Sequence, residues 1–161
     1  MLCCYRTDVC TRHRDVSLLA TAITVSALLA LVTVLLNFEV LSIVGAMRRR
    51  FSLPMRVEVL YLIVAAVFAH LVSIGLYALA YAWMAQHPEL GSLSGETTGS
   101  AGDFFYFSVA CYTTLGFGEI FAIGPIRIVA ALEGLNGLVL ITWSASFAYA
   151  ATSGLWDREG G

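Results

Sequence analysis

The chain has 161 residues, a formal net charge of -2, 59% hydrophobic residues and only 12% charged ones. A soluble domain carries about 25% charged and about 45–50% apolar residues, so this composition excludes an ordinary water-soluble domain and points to a bilayer. All nine basic residues are arginine, and they form no basic stripe with interleaved aromatics, which excludes a nucleic-acid surface.

Residues 1–15 read as a polar N-terminal tail. Cys3, Cys4, Cys10 and His13 lie in it, but the spacing CC-x5-C-x2-H is not a good zinc pattern. The readings are free or lipid-modified thiols on a flexible tail, a metal site, or, with the tail outside, a disulfide from Cys10 to Cys3 or Cys4. Residues 16–47 are predicted to form a first transmembrane helix. Its uncharged run from Val16 to Leu36 meets the requirement of about 20 apolar residues and is too long for a cleaved signal peptide. Glu39, near its inner end, snorkels or meets the arginines that follow. Arg48, Arg49, Arg50, Pro54 and Arg56 separate it from a second span at 59–86. His70, near the middle of that span, is either a hydrogen-bonded interior histidine or a pH-responsive group.

A loop rich in Gly, Ser and Thr follows at 87–102. The aromatic stretch 103–113 comes next, carrying Phe104, Phe105, Tyr106, Phe107 and Tyr112. It predicts a helix of about 16 Å at 1.5 Å per residue, which cannot cross a core of about 30 Å. Ser100 or Asp103 can cap its start, and Gly116 and Gly118 end it. Such a helix between two spans, followed by irregular backbone, reads as a re-entrant loop. Irregular backbone at membrane depth is tolerated only in protein or along a water-filled cavity. A third span follows at 123–156. The expected fold is an all-α membrane protein with three transmembrane helices and a re-entrant helix and loop between the second and third.

Thr113-Thr114-Leu115-Gly116-Phe117-Gly118-Glu119 resembles TTVGYGD, the selectivity-filter signature of potassium channels. YFSVACYTTLGFGEI and ALEGLNGLVL resemble the two-helix pore module of small prokaryotic ion channels. The resemblance implies a pore module over 56–156: outer helix 59–86, turret loop 87–102, pore helix 103–113, filter 114–118 and inner helix 123–156. Residues 16–47 are then one extra N-terminal helix. It implies a K+-selective channel subunit in the cell membrane, working as a homotetramer, with K+ as permeant ion, no other cofactor and no enzymatic activity. The implied ligands are the backbone carbonyls of Thr114, Leu115, Gly116 and Phe117 and the Thr114 hydroxyl, with Gly118 closing the filter. Gly116 and Gly118 give the backbone positive φ at no steric cost.

Phe117 stands where relatives often have tyrosine, and lacks the hydroxyl that braces the filter. Leu115 for valine is mild, and Cys111 for threonine packs behind the filter. Some relatives have a pore-helix acid that braces the acid after the filter; Ala110 is at that position here. Glu119 falls at the outer mouth, with Tyr106 as its substitute partner and Thr113 as filter support. The C-terminal end of the pore helix adds partial negative charge behind the cavity. Gly137, with Gly134, is either a gating hinge or a close-packing site. Leu138, Ile141 and Ala145 form either a cavity face or a contact stripe. Glu133 is read as an interhelical hydrogen-bonded carboxyl with Tyr77 at its level; a brace behind the pore helix or a cation site are its other readings.

The resemblance places the C-terminus in the cytoplasm and the N-terminus outside, which puts Arg48–Arg50 and Arg56 inside, as cytoplasmic arginines should be. No helix carries arginine at every third position, so no voltage sensor is expected, and no ligand-binding domain is expected after Trp156. The alternatives are a weakly selective cation channel and a nonconducting accessory membrane protein that uses the N-terminal cysteines.

Overall fold

A computed structural model describes the backbone of residues 2–50 and 55–159 and the side chains of 16–47, 57 and 59–150. In chain order come α1 (Leu2–Arg50), α2 (Met55–Ala85), a single 3-10 turn (Pro88–Leu90), β1 (Ser92–Gly95), α3 (Ala101–Tyr112), β2 (Ile120–Ile123) and α4 (Ile126–Glu159). Among the described residues, three helical stretches are long and apolar enough to cross a membrane: Val16–Met47, Val59–Ala85 and Ile126–Ala150. The architecture is that of an all-α membrane protein with a short helix and a loop inserted between its second and third spans.

Two features differ from the sequence reading. First, α1 continues as helix back to Leu2, through residues 2–15 that composition reads as a tail. Between Leu2 and Arg50 there is no proline and only one glycine, Gly45, so nothing breaks the helix locally. The side chains of Cys3, Cys4, Cys10 and His13, and of Arg48–Arg50 and Arg56, lie outside the described residues. Second, a small antiparallel pair joins β1 to β2, with Ser92 opposite Ile123 and Gly95 opposite Ile120. Ile120, Phe121 and Ile123 are β-branched or aromatic and suit a strand. Pro125, which suits a helix start and has no N–H to give a strand, marks the switch, so the third helix begins at Ile126 rather than at residue 123.

The helices pack through narrow stripes. On α1 the buried positions are Ala22, Ser26, Thr33, Asn37, Leu41 and Val44, spaced as one helical face. The remaining faces carry exposed leucines such as Leu28, Leu31 and Leu35. At one end Ala22 packs with Tyr77, Tyr81, Phe107, Ile126 and Val129. At mid-height Ile74, Tyr112 and Leu140 meet. At the other end Leu41, Val44 and Leu62 close the bundle. α3 is thus held between α2 and α4 and does not cross.

Candidate functional site

The site is built around the two ends of α3. At its start the Ser100 side chain accepts from the Asp103 N–H at 3.3 Å, and Asp103 accepts from the Ser100 N–H at 3.2 Å, a capping box. The same carboxylate accepts from the Thr98 N–H at 2.7 Å and the Thr98 hydroxyl at 2.8 Å. The Thr98 hydroxyl above all, with the Thr98 and Ser100 amides, holds the Asp103 carboxyl well below the usual carboxylate range. With 12 residues α3 is about 18 Å long, short of a core of about 30 Å.

At the far end the chain reverses. The Thr114 N–H donates to the Cys111 carbonyl at 3.0 Å and the Gly116 N–H to the Ala110 carbonyl at 3.2 Å. In a planar trans peptide the C=O points opposite to the N–H. The carbonyls of Thr113 and Leu115 therefore point away from α3. Thr114, Gly116 and Gly118 have φ of 58°, 54° and 87°, so every second residue is left-handed. A fully extended strand would alternate its carbonyls between two sides; interleaved left-handed residues turn the intervening ones toward a common side. Glycine adopts this conformation freely, but for the β-branched Thr114 it costs of order 1–3 kcal/mol. That strained residue was not anticipated from the sequence.

The segment 114–119 is exposed throughout, with Leu115 at 61% and Phe117 at 60%. A Cβ placed on Gly116 or Gly118 would meet nothing within 4 Å, so φ rather than crowding dictates glycine at both. Thr113 donates its hydroxyl to the Val109 carbonyl at 2.6 Å. Tyr106 donates to Glu119 at 2.7 Å and stacks on Phe117 with ring centres 6.2 Å apart. That bond raises the Tyr106 phenol above its ordinary pKa. The structure thus gathers Tyr106, Phe117 and Glu119 at one end of the segment. Ala110 is buried.

Behind the segment, α4 closes on α3. A Cβ on Gly137 would fall 2.2 Å from the Tyr112 carbonyl oxygen, and one on Gly134 would fall 3.2 Å from that of Cys111. Both glycines therefore let α4 approach the end of α3. Leu138, Ile141 and Ala145 face outward from the single chain. Glu133 is fully buried. It accepts from the Tyr81 hydroxyl and lies 2.5 Å from the Ser108 hydroxyl, which also reaches the Ile74 carbonyl at 2.9 Å. Its partner on α2 is therefore Tyr81, one turn beyond the Tyr77 expected from counting; Tyr77 instead meets Asn136 at 3.3 Å. His70 Nδ1 is 3.0 Å from the Tyr112 hydroxyl, so it is a partnered interior histidine. Among the described residues no group of three or more His, Cys, Asp and Glu is arranged to hold a metal ion.

Residues 57–152, well over half of the chain, match the family model described as ion channel. The chain belongs to the ion channel family. The match covers α2, α3, the reversed segment and most of α4, and leaves α1 outside the channel domain. No curated protein and no solved structure matches the chain. The chain is thus a multi-pass membrane protein with an ion channel family domain at residues 57–152. Sequence reading missed Ser108 and Tyr81 as partners of Glu133, and Thr33, Asn37 and Ser73 as a polar group within the spans. The signal was there in polar residues placed four apart, Thr33 and Asn37, inside an apolar run.

Proposed function

We propose that the chain is one subunit of a K+-selective channel in the cell membrane, assembled as a homotetramer around segment 114–118. In this reading backbone carbonyls of Thr114, Leu115, Gly116 and Phe117, with the Thr114 hydroxyl, replace the hydration shell of K+. α3 is the pore helix, α4 the inner helix, and Glu119 forms a ring of carboxylates that gathers cations at the outer mouth. Passage makes and breaks no covalent bond. The N-terminus is outside and the C-terminus is cytoplasmic.

One observation carries the reading: left-handed residues at 114, 116 and 118, with the 114 and 116 amides tied back to α3. The outward Leu115 carbonyl, in a segment exposed from 114 to 119, suits a cation shared with other copies. The exposure of Leu115 and Phe117 in a single chain supports the same assembly, since lipid cannot satisfy the adjoining backbone. A second reading, a weakly selective cation channel, is favoured by Phe117. Its ring stacks on Tyr106 but has no hydroxyl to anchor the filter.

The test is cation flux into liposomes carrying the purified protein, with K+ and Na+ compared beside Gly116→Ala. K+-preferring flux that vanishes in the variant supports the first reading. Equal K+ and Na+ flux, also lost in the variant, selects the second. Flux untouched by Gly116→Ala sinks both.

A further inference from the structure

The helix outside the channel domain is tied to the pore by polar side chains. α1 and α4 lie side by side in the same direction. Thr33 meets Asn136, Phe38 stacks on Trp143 with ring centres 6.2 Å apart, and a Cβ placed on Gly45 would fall 3.8 Å from the Phe147 ring. The contacts advance together along both helices, which fixes a single register. At its upper end this face carries hydrogen bonds. Asn136 Nδ2 donates to the Thr33 hydroxyl at 2.8 Å, while that hydroxyl donates to the Leu29 and Ala30 carbonyls at 2.9 and 3.0 Å. One turn on, Asn37 Nδ2 donates to the Ser73 hydroxyl of α2 at 3.2 Å. Thr33, Asn37 and Ser73 are all buried.

Asn136 adjoins Gly137, which abuts the Tyr112 carbonyl at the end of α3. Residues next to each other on a helix point about 100° apart. One faces α1 and the other faces the base of segment 114–118. A continuous line of contact therefore runs from Thr33 through Asn136 and Gly137 to Tyr112, two residues before Thr114. Lipid offers no partner for an amide or hydroxyl. Moving α1 away, or sliding it along α4, takes the Thr33 hydroxyl from Asn136, leaving it only the Tyr77 hydroxyl at 3.3 Å, and moving it off α2 takes Ser73 from Asn37.

The geometry points to α1 as a positioning element of the pore: Asn37 ties α1 to α2 at Ser73, and Thr33 holds α4 at Asn136 against the C-terminal end of α3, and so biases how freely α4 moves near Gly137. The positioning rests on the contacts alone; its effect on conduction rests on the proposed channel function. Thr33 and Asn37 are positioning residues and touch no ion.

Hydrogen–deuterium exchange of the full-length protein in lipid nanodiscs tests the positioning without requiring conduction. Thr33→Val keeps the shape of threonine and removes the hydroxyl; it is combined with Asn37→Leu. The expected result is exchange several-fold faster in α4 around residues 136–145, with the capped start of α3 at 101–104 unchanged. Thr33→Ser, which keeps the hydroxyl, should restore the wild-type pattern when Asn37 is intact. In liposomes the double variant should change the amount of K+ flux and leave the K+/Na+ preference as it was. Unchanged exchange in α4 overturns the inference, and so does an equal increase across all helices, which would mean general loosening. Altered exchange in α4 with no flux from any protein, wild type included, would uphold the positioning and count against the channel reading instead.

Discussion

Glu133 is where α2, α3 and α4 are joined by side chains. Its carboxyl binds Tyr81 and Ser108, and Ser108 also reaches the Ile74 carbonyl. Serine has one proton for those two acceptors. Glutamine at 133 would accept from Tyr81 and donate to Ser108, freeing the serine proton for Ile74. Glu133→Gln should therefore melt close to wild type. Glu133→Ala leaves the buried Tyr81 hydroxyl without this partner, at about 1–3 kcal/mol, while Ser108 keeps the Ile74 carbonyl, and should lower the melting temperature of the purified protein by several degrees. Equal losses in both variants would show that the carboxylate charge itself is needed. Gly137 gives a second residue-scale expectation. Gly137→Ala drives a Cβ into the Tyr112 backbone, and overpacking of this kind costs about 1–3 kcal/mol. Gly134→Ala, whose Cβ would stand a tight 3.2 Å from the Cys111 carbonyl oxygen rather than overlapping it, should cost less in the same melting experiment. A pure hinge would predict altered flux without that ordering of stability. Sequence alone placed Glu133 in the interior and both glycines at a helix contact or a bend. It missed Tyr81 because counting turns from the membrane boundary carries an error of one turn, and Tyr77 and Tyr81 share a face of α2.

The capped start of α3 was legible at the scale of an element, because Ser100 and Asp103 have the three-residue spacing of a capping box. The β1–β2 pair was not legible. Its strands have four residues each, and their pairing depends on how the intervening α3 folds back. Likewise the extension of α1 into residues 2–15 comes from an absence of breakers, which composition does not register. The cap makes a pH prediction. A carboxyl whose folded pKa is depressed stabilises the fold at pH above its ordinary value, about 4, and that stability is lost as pH falls through the depressed value. The Asp103 contribution should therefore be fully present from neutral pH down to about pH 4 and fade only in stronger acid. Asp103→Asn should be less stable than wild type at pH 7, and the gap between them should narrow under strong acid. A gap that stays constant across that acid range would remove the carboxylate from the account.

For the whole molecule, segment 114–119 and the outward face of α4 at Leu138, Ile141 and Ala145 are exposed in the single chain, and the proposed assembly would cover them. If copies assemble around that segment, an ion held only by the assembly stabilises it in proportion to its occupancy. On the proposed reading, the tetramer extracted in detergent survives to a higher temperature in K+ than in Na+, by gel or size-exclusion readout, and Gly116→Ala erases the difference. Identical survival in both salts would argue against a K+ site formed by the assembly. The family domain was legible from its motif; the docking of α1 was not, since its buried stripe mixes alanine, serine, threonine and asparagine with leucine and valine, and reads along the chain as uniform apolar helix.

The stretch between α2 and α3 has almost no slack. Pro88–Leu90 is a turn, Ser92–Gly95 is laddered to Ile120–Ile123, the Glu96 amide holds the Glu119 carbonyl at 2.9 Å, and Thr97, Thr98 and Ser100 engage Asp103. An epitope tag or fluorescent insert spliced there would not hang free as it would from an ordinary surface loop. It would prise apart either the ladder or the cap, and the disturbance would arrive at Glu119, next to Gly118, the last of the three left-handed residues.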